Sequence, residues 1–229
     1  MKFQKIVLGV IVVLILYVLY LYYFGDSSKK VLVGMHDAQN EVIVSGGSMP
    51  PGASSDYTFS IWVFVSNWNY NIGKKKPIFV RGNGNANDDC PRMEFDANLN
   101  NIDVTVSVFN AQPKTCTLEN VPLQRWTNII MTINNRALDL YLDGKLIRTC
   151  YLDNVPKIIP GANLALTPGG GFKGNTAKFQ YLSRAINPRE AYTIYKEGYG
   201  QSGLASLASK YKLKFAFVKE NKELNSFTF

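Results

Sequence analysis

The sequence has one histidine, His36, and only three cysteines, Cys90, Cys116 and Cys150. A lone histidine set between two short entry strands leaves a Ser/His/Asp triad or a histidine-based metal centre without its other members, so His36 reads as a surface residue. Three cysteines are an odd number, which excludes a fully paired framework, and their spacings match no zinc site. At most one intramolecular bridge can form. Cys116 and Cys150 occur in similar segments, TCTLENVP and TCYLDNVP, that read as neighbouring strands with facing thiols; this pair ranks first, with three buried thiols as the alternative. None of the 21 asparagines begins an Asn-x-Ser/Thr sequon, which argues against a conventional glycosylated ectodomain.

Dense runs of positive charge are also scarce. The formal net charge is +8 and the isoelectric point about 9.3, yet the lysines are spread out and form no stripe of the kind that tracks a nucleic-acid backbone. No nucleic-acid partner is expected. The tightest cluster, Lys74-Lys75-Lys76, lies between Gly73 and Pro77 and reads as a solvated loop tip.

One long apolar run is present. Ile6 to Phe24, IVLGVIVVLILYVLYLYYF, has no charge over 19 residues. As a helix it would span about 28 Å, close to the ~30 Å hydrocarbon core of a bilayer. It ends in Tyr22, Tyr23, Phe24, Gly25 and Asp26 and not in the small residues of a cleavage site, so residues 1–25 are expected to be an uncleaved single-pass anchor. Tyr17, Tyr20, Tyr22 and Tyr23 place its C-terminal half at an interface, and Lys2, Lys5 and the α-amine tip the bias slightly towards a cytoplasmic N-terminus.

Beyond a linker and entry segment at 26–41, the pattern has almost no helical periodicity. Brief apolar runs at Val31–Val33 and Glu41–Val44 precede the loop GGSMPPGASS. Tyr57–Val65 is a core strand with Tyr57, Phe59, Ile61, Val63 and Val65 in one parity. Further strands are expected at Ile78–Arg81, Arg92–Ala97, Ile102–Phe109, Thr127–Asn134, Leu138–Leu142, Lys145–Leu152, Asn163–Leu166 and Ala177–Leu182. Asp143-Gly144 supplies a hairpin turn between two of them. Asn187, Pro188, Glu190 and Gly198 mark a short helix at Pro188–Tyr195. The fold class is all-β: a two-sheet antiparallel jelly-roll sandwich over 42–200 with one capping helix. From Ser209 to Val218, Tyr211, Leu213, Phe215 and Phe217 alternate with mainly polar residues, and LNSFTF follows. This 201–229 extension reads as a hairpin packed on the domain or as a partner-binding arm.

Three segments resemble the laminin-G-like, concanavalin-A-like lectin/glucanase superfamily. They are Tyr57-Thr58-Phe59-Ser60-Ile61-Trp62-Val63; Trp126-Thr127-Asn128-Ile129 through Leu140-Tyr141-Leu142-Asp143-Gly144-Lys145; and Phe172-Lys173-Gly174 to Ile186, with Glu190 and Tyr195-Lys196-Glu197-Gly198. The resemblance implies that the tryptophans lie in the core and that Asp143-Gly144 is a turn, features of fold and not of chemistry. Some relatives are glycosidases with clustered carboxylates. Here Glu94 and Asp96 share strand parity and are the best pair, but no third acid follows, so no catalytic residue is assigned. The oxygen-rich loop Gly82–Asp89 and the glycine run Gly169–Gly171 lack ordered ligand or phosphate-loop spacing and read as flexible turns; no metal and no cofactor are expected. The expected function is a non-enzymatic, membrane-anchored structural or protein-interaction module. In composition it resembles minor structural proteins of large DNA viruses, which would place it in a virion membrane. A membrane-anchored lectin or adhesion protein binding glycan is the alternative.

Overall fold

The computed structural model describes residues 9, 12–17, 19, 27–50, 55–82, 90–159 and 161–200, together with the backbone of 214–219 and 222–228. Residues 12–17 are helical and exposed, but most of the expected 6–24 span lies outside the described residues. No described helix is long and apolar enough to cross a membrane.

Alternation of apolar and polar side chains builds two antiparallel sheets. The first runs β1 (Lys29–Val33), β13 (Lys173–Leu182), β4 (Tyr57–Asn67), β9 (Thr127–Asn134), β10 (Ala137–Leu142) and β11 (Lys145–Tyr151), with the short β2 (His36–Asp37) also paired to β13. The second runs β3 (Val42–Val44), β12 (Leu164–Leu166), β5 (Lys76–Arg81), β6 (Arg92–Phe95), β7 (Ile102–Val106) and β8 (Lys114–Leu118). Their inner faces share one core. The parity read in Tyr57–Val65 holds: Tyr57, Phe59, Ile61, Val63 and Val65 all enter that core, facing Ile78, Phe79, Met93, Phe95 and Val104 of the other sheet.

Several boundaries differ from the sequence expectation for local reasons. The strand expected to end at Ala97 stops at Phe95, because the Asp96 carboxylate accepts the backbone N–H groups of Asn98 and Leu99 and turns the chain. The strand expected from Ala177 begins earlier, at Lys173, and is bent by a bulge between Ala177 and Gln180 where Lys178 has φ +46°. The Cys116 segment is a strand, β8, at an edge of the second sheet, and β11, which carries Cys150, is an edge of the first, so the two are not neighbours in one sheet. The C-terminal alternation appears as a hairpin of β14 (Lys214–Lys219) and β15 (Lys222–Thr228), a separate two-stranded sheet, while Tyr211 and Leu213 lie outside the described residues.

A short helix, α1 (Pro188–Lys196), lies on the outer face of the first sheet. Asn187 accepts the Glu190 N–H, and Glu190 accepts the Asn187 N–H in return, closing a capping box with Pro188 at the first turn. Its Ala191 and Ile194 pack with Ile130, Tyr141 and Leu182 beneath. Gly144 of the β10–β11 turn (φ +75°) comes so close to α1 that an added Cβ would meet Tyr192 Cα and Tyr195 Cβ at 2.9 Å. The tryptophans correct the expectation. Trp62 is buried beneath α1, stacked on Tyr195 at 5.6 Å, and Trp126 is half-buried between Phe64 and Tyr199, so neither belongs to the inter-sheet core.

The C-terminal end of α1 is clamped by charge. Glu197 pairs with Lys29 of β1 and Lys178 of β13, both at 2.9 Å. Burial works against its ionised form, but the hydrogen bonds from the two lysines outweigh that and hold the carboxyl below its usual range. A depressed carboxyl pKa contributes stability above the unfolded value, near 4.3, and loses it as pH falls through the folded value. Glu197→Gln is therefore expected to be destabilised at neutral pH, with the gap to wild type narrowing on acidification below about pH 4. Urea midpoints at neutral and acidic pH measure this; a constant gap would rule out the clamp.

Candidate functional site

Among the described residues nothing covers the outer face of the second sheet, which carries an open groove of about 640 Å³. Strand register defines its floor. Ile43 lies opposite Ala165, Ala165 opposite Val80, Val80 opposite Arg92, Arg92 opposite Thr105, and Thr105 opposite Thr115, forming one row across six strands. It is apolar at the β3 end and polar at the β8 end. Ile43 is 64% exposed and, with Ala165 and Val80 beside it, makes the apolar part of the floor continuous. Pro77, Glu41, Asn163 and Gly169 complete the walls. One wall is held by contact between loops: Asn163 Oδ1 accepts the Gly46 N–H at 3.1 Å, and a Cβ on Gly46 would meet Gly161 O at 2.3 Å.

The neighbouring row, Pro77, Glu94, Asp103 and Thr117, holds the acids of this face. Glu94 is almost fully buried. Lys75 Nζ lies 2.8 Å from Glu94 and 3.1 Å from Asp103, Arg92 is 3.7 Å from Glu94, and Thr117 donates to Asp103 at 2.8 Å. Burial opposes the Lys75 charge, yet hydrogen bonds to the two carboxylates push its pKa up.

The Glu94/Asp96 pair read from strand parity is not the one that forms. Asp96 leaves the strand, where hydrogen bonds from the Leu99 and Asn98 N–H groups hold its carboxyl below the usual range. Glu94 has Asp103 as its acidic neighbour, a residue whose role depends on inter-strand register. The lysine triplet is also more differentiated than a solvated tip. Lys74 is exposed, Lys75 bridges the acids, and Lys76 is 1% exposed with its ammonium 4.1 Å from the Trp68 ring centre. Desolvation lowers its pKa.

Cys116 and Cys150 form a disulfide with Cα atoms 6.1 Å apart, and Cys90 is a buried free thiol. The two bridged strands, β8 and β11, are not hydrogen-bonded neighbours: they are the edges of different sheets, so the bridge spans the sandwich. His36 Nε2 lies 2.7 Å from Asn40 O. Asp143 serves its turn, accepting the Asn128 N–H at 2.9 Å and pairing with Arg125. No three of His, Cys, Asp and Glu converge on a possible metal position among the described residues; 83–89 of the oxygen-rich loop lie outside them. Phe215 and Phe217 fall on β14, whose backbone alone is described.

A family model of the concanavalin A-like lectin/glucanases superfamily matches residues 36–191. The chain belongs to this superfamily. No curated protein matches it in sequence. Among solved structures, it is similar to receptor-binding domains of botulinum neurotoxins. The binding domain of neurotoxin DC in complex with rat synaptotagmin II is 13% identical, with a TM-score of 0.56 over 71% of this chain and 42% of that one. The type G receptor-binding domain is 15% identical, with a TM-score of 0.54 over 69% and 40%. The C/D mosaic domain is 12% identical, with a TM-score of 0.57 over 74% and 43%. This chain thus spans about two-fifths of those structures, and the likeness is one of fold.

Proposed function

We propose that this chain is a non-enzymatic binding module, tethered to a membrane by residues 6–24, whose groove on the outer face of the second sheet receives another protein of a larger assembly. The observation that carries the reading is the groove floor: Ile43, Ala165 and Val80 form an uncovered apolar strip bordered by Arg92 and Glu41. An apolar centre with a charged rim matches the anatomy of protein-binding surfaces. The nearby carboxylates are committed to Lys75 and Arg92, which favours recognition over glycoside hydrolysis. The tether rests on the 19-residue apolar run. The expected setting is that of a minor structural component, such as one in a virion membrane. The C-terminal extension, whose alternation begins at Tyr211 and Leu213 and continues through Phe215 and Phe217 on β14, would supply a second contact by strand addition.

A glycan-binding reading is favoured by one observation: the row passes from the apolar strip to Arg92, Thr105 and Thr115, giving hydrogen-bonding groups beside an apolar platform. Cross-linking mass spectrometry of the full chain in its native membrane separates the readings. Reproducible links from Lys74 and Lys75 to one partner protein support the protein-binding module, while self-links alone, together with retention on a glycan array, support the lectin. In either case Ile43→Asp is expected to weaken binding about ten-fold, or ~1.4 kcal/mol, with little effect on stability because the side chain is exposed. Unchanged binding by Ile43→Asp would remove the groove as the site.

A further inference from the structure

The tether proposed above also dictates which part of the sandwich meets the lipid, and this inference rests on that reading. Gly25 to Ser28 are the four residues that follow Phe24, the last residue of the apolar run. Fully extended, they reach about 14 Å. The headgroup layer takes up roughly 5–8 Å of that on each side of a bilayer. Ser28 must therefore lie within about 9 Å of the headgroup surface, and it is fixed to the domain: its carbonyl accepts the Ser183 N–H at 3.0 Å, and its hydroxyl accepts from Arg184 Nε at 3.3 Å.

Register shows what else shares this end. Lys29 lies opposite Leu182, Leu182 opposite Thr58, and Thr58 opposite Thr132; the β9–β10 turn follows, and Ala137 lies opposite Tyr151. One end of the first sheet thus presents the β9–β10 turn with Arg136, the β13–α1 loop with Arg184, the exposed Arg189 of α1, and Tyr151. Tyr151 is 74% exposed, more than any other large apolar or aromatic side chain among the described residues. It stands at the last position of β11, five strand spacings or about 24 Å from β1. Tyrosine and arginine are the side chains that anchor proteins at a lipid headgroup layer.

The domain could instead lie on its β1–β3 edge, where Met35 and Ile43 are exposed. That edge carries the exposed carboxylates Asp37 and Glu41 and no arginine, whereas the β9–β10 end sets Arg136, Arg184 and Arg189 beside its own acids Asp56, Asp153 and Glu190, the last paired with Arg184 at 2.8 Å. We propose that the sandwich stands end-on, with Tyr151, Arg136, Arg184 and Arg189 against the bilayer surface. The Trp68–Leu99 end then points away from the membrane, and the groove is left open to a partner.

The test reconstitutes the full chain in vesicles of phosphatidylcholine with a minority of phosphatidylserine. A photoreactive benzophenone amino acid replaces Tyr151, Met35 or, as a distal control, the exposed Leu99. Flotation reports the tether, and mass spectrometry reports lipid adducts. The expected result is flotation of all three proteins, with lipid adducts from position 151 and none above background from 35 or 99. Adducts from 35 or 99, or none from 151, in protein that floats would overturn the end-on orientation and leave the tether intact. Failure to float would overturn the tether itself.

Discussion

Phe59→Ala is expected to cost about 4 kcal/mol, the range seen when a large buried aromatic is truncated and its surroundings cannot close the gap. Phe59 is fully buried near the start of β4, an inner strand of the first sheet with a hydrogen-bonded partner on each side. Its ring lies 5.0 Å from those of Phe79 and Tyr181, 5.7 Å from Tyr57 and 5.8 Å from Phe179. Phe79 belongs to the opposite sheet, so this cluster joins the two layers. Each neighbour is itself packed on other buried groups, and collapse into the vacated volume would break those contacts. Phe59→Leu keeps most of the volume and should cost substantially less. Urea unfolding of the two variants measures the difference. A loss below about 1 kcal/mol for the alanine variant would mean that the cluster does not hold the layers together.

How much of this was legible in sequence depends on how far each feature reaches along the chain. The parity of Tyr57 to Val65, the Asp143-Gly144 turn and the Asn187 N-cap each follow from a few consecutive residues, and each appears in the structure as read. Strand pairing is a different kind of information. Glu94 was visible as an outward-facing acid, but its neighbour Asp103 and their shared partner Lys75 become a unit only when β5, β6 and β7 take one register. The row from Ile43 to Thr115 draws on six strands between positions 43 and 165, and no local window contains it.

Lys76 shows the same limit for burial. Three consecutive lysines between glycine and proline read locally as solvated, yet strand alternation turns alternate side chains to opposite faces. Lys75 thus reaches the outer acids, and Lys76 turns inward beneath Trp68, where its ammonium also approaches the Ala97 carbonyl at 3.3 Å. Trp126 erred in the opposite direction. A tryptophan that leads a strand reads as core, but it precedes β9 at the rim, where Tyr199 from beyond α1 stacks on it at 4.6 Å. In both cases the deciding contact comes from a segment that local reading cannot pair with the residue.

The bridge between Cys116 and Cys150 is expected to contribute about 4 kcal/mol, the loop-entropy value for its sequence separation of 34 residues. Its position adds to the consequence. β8 and β11 are edge strands of opposite sheets: between them Arg148 donates to Thr117 O at 3.1 Å and lies 3.6 Å from the exposed Glu119, while the backbone links on that side, Lys157 N–H to Ser107 O at 2.8 Å and Phe109 N–H to Val155 O at 3.1 Å, lie outside both strands. Exposed ion pairs of this kind contribute little. β11 also leaves Leu146, Ile147 and Tyr151 in solvent, so an opening edge would present apolar side chains next to unpaired backbone groups. The Cys116→Ser/Cys150→Ser double variant should therefore unfold at lower urea and associate with itself on partial unfolding. Reduction of the wild-type chain should reproduce both effects, whereas Cys90→Ser, which leaves the bridge intact, should not cause self-association. Equal urea midpoints for oxidised and reduced protein would show that the sandwich closes on packing alone, with the disulfide a passenger on the β8 and β11 edges.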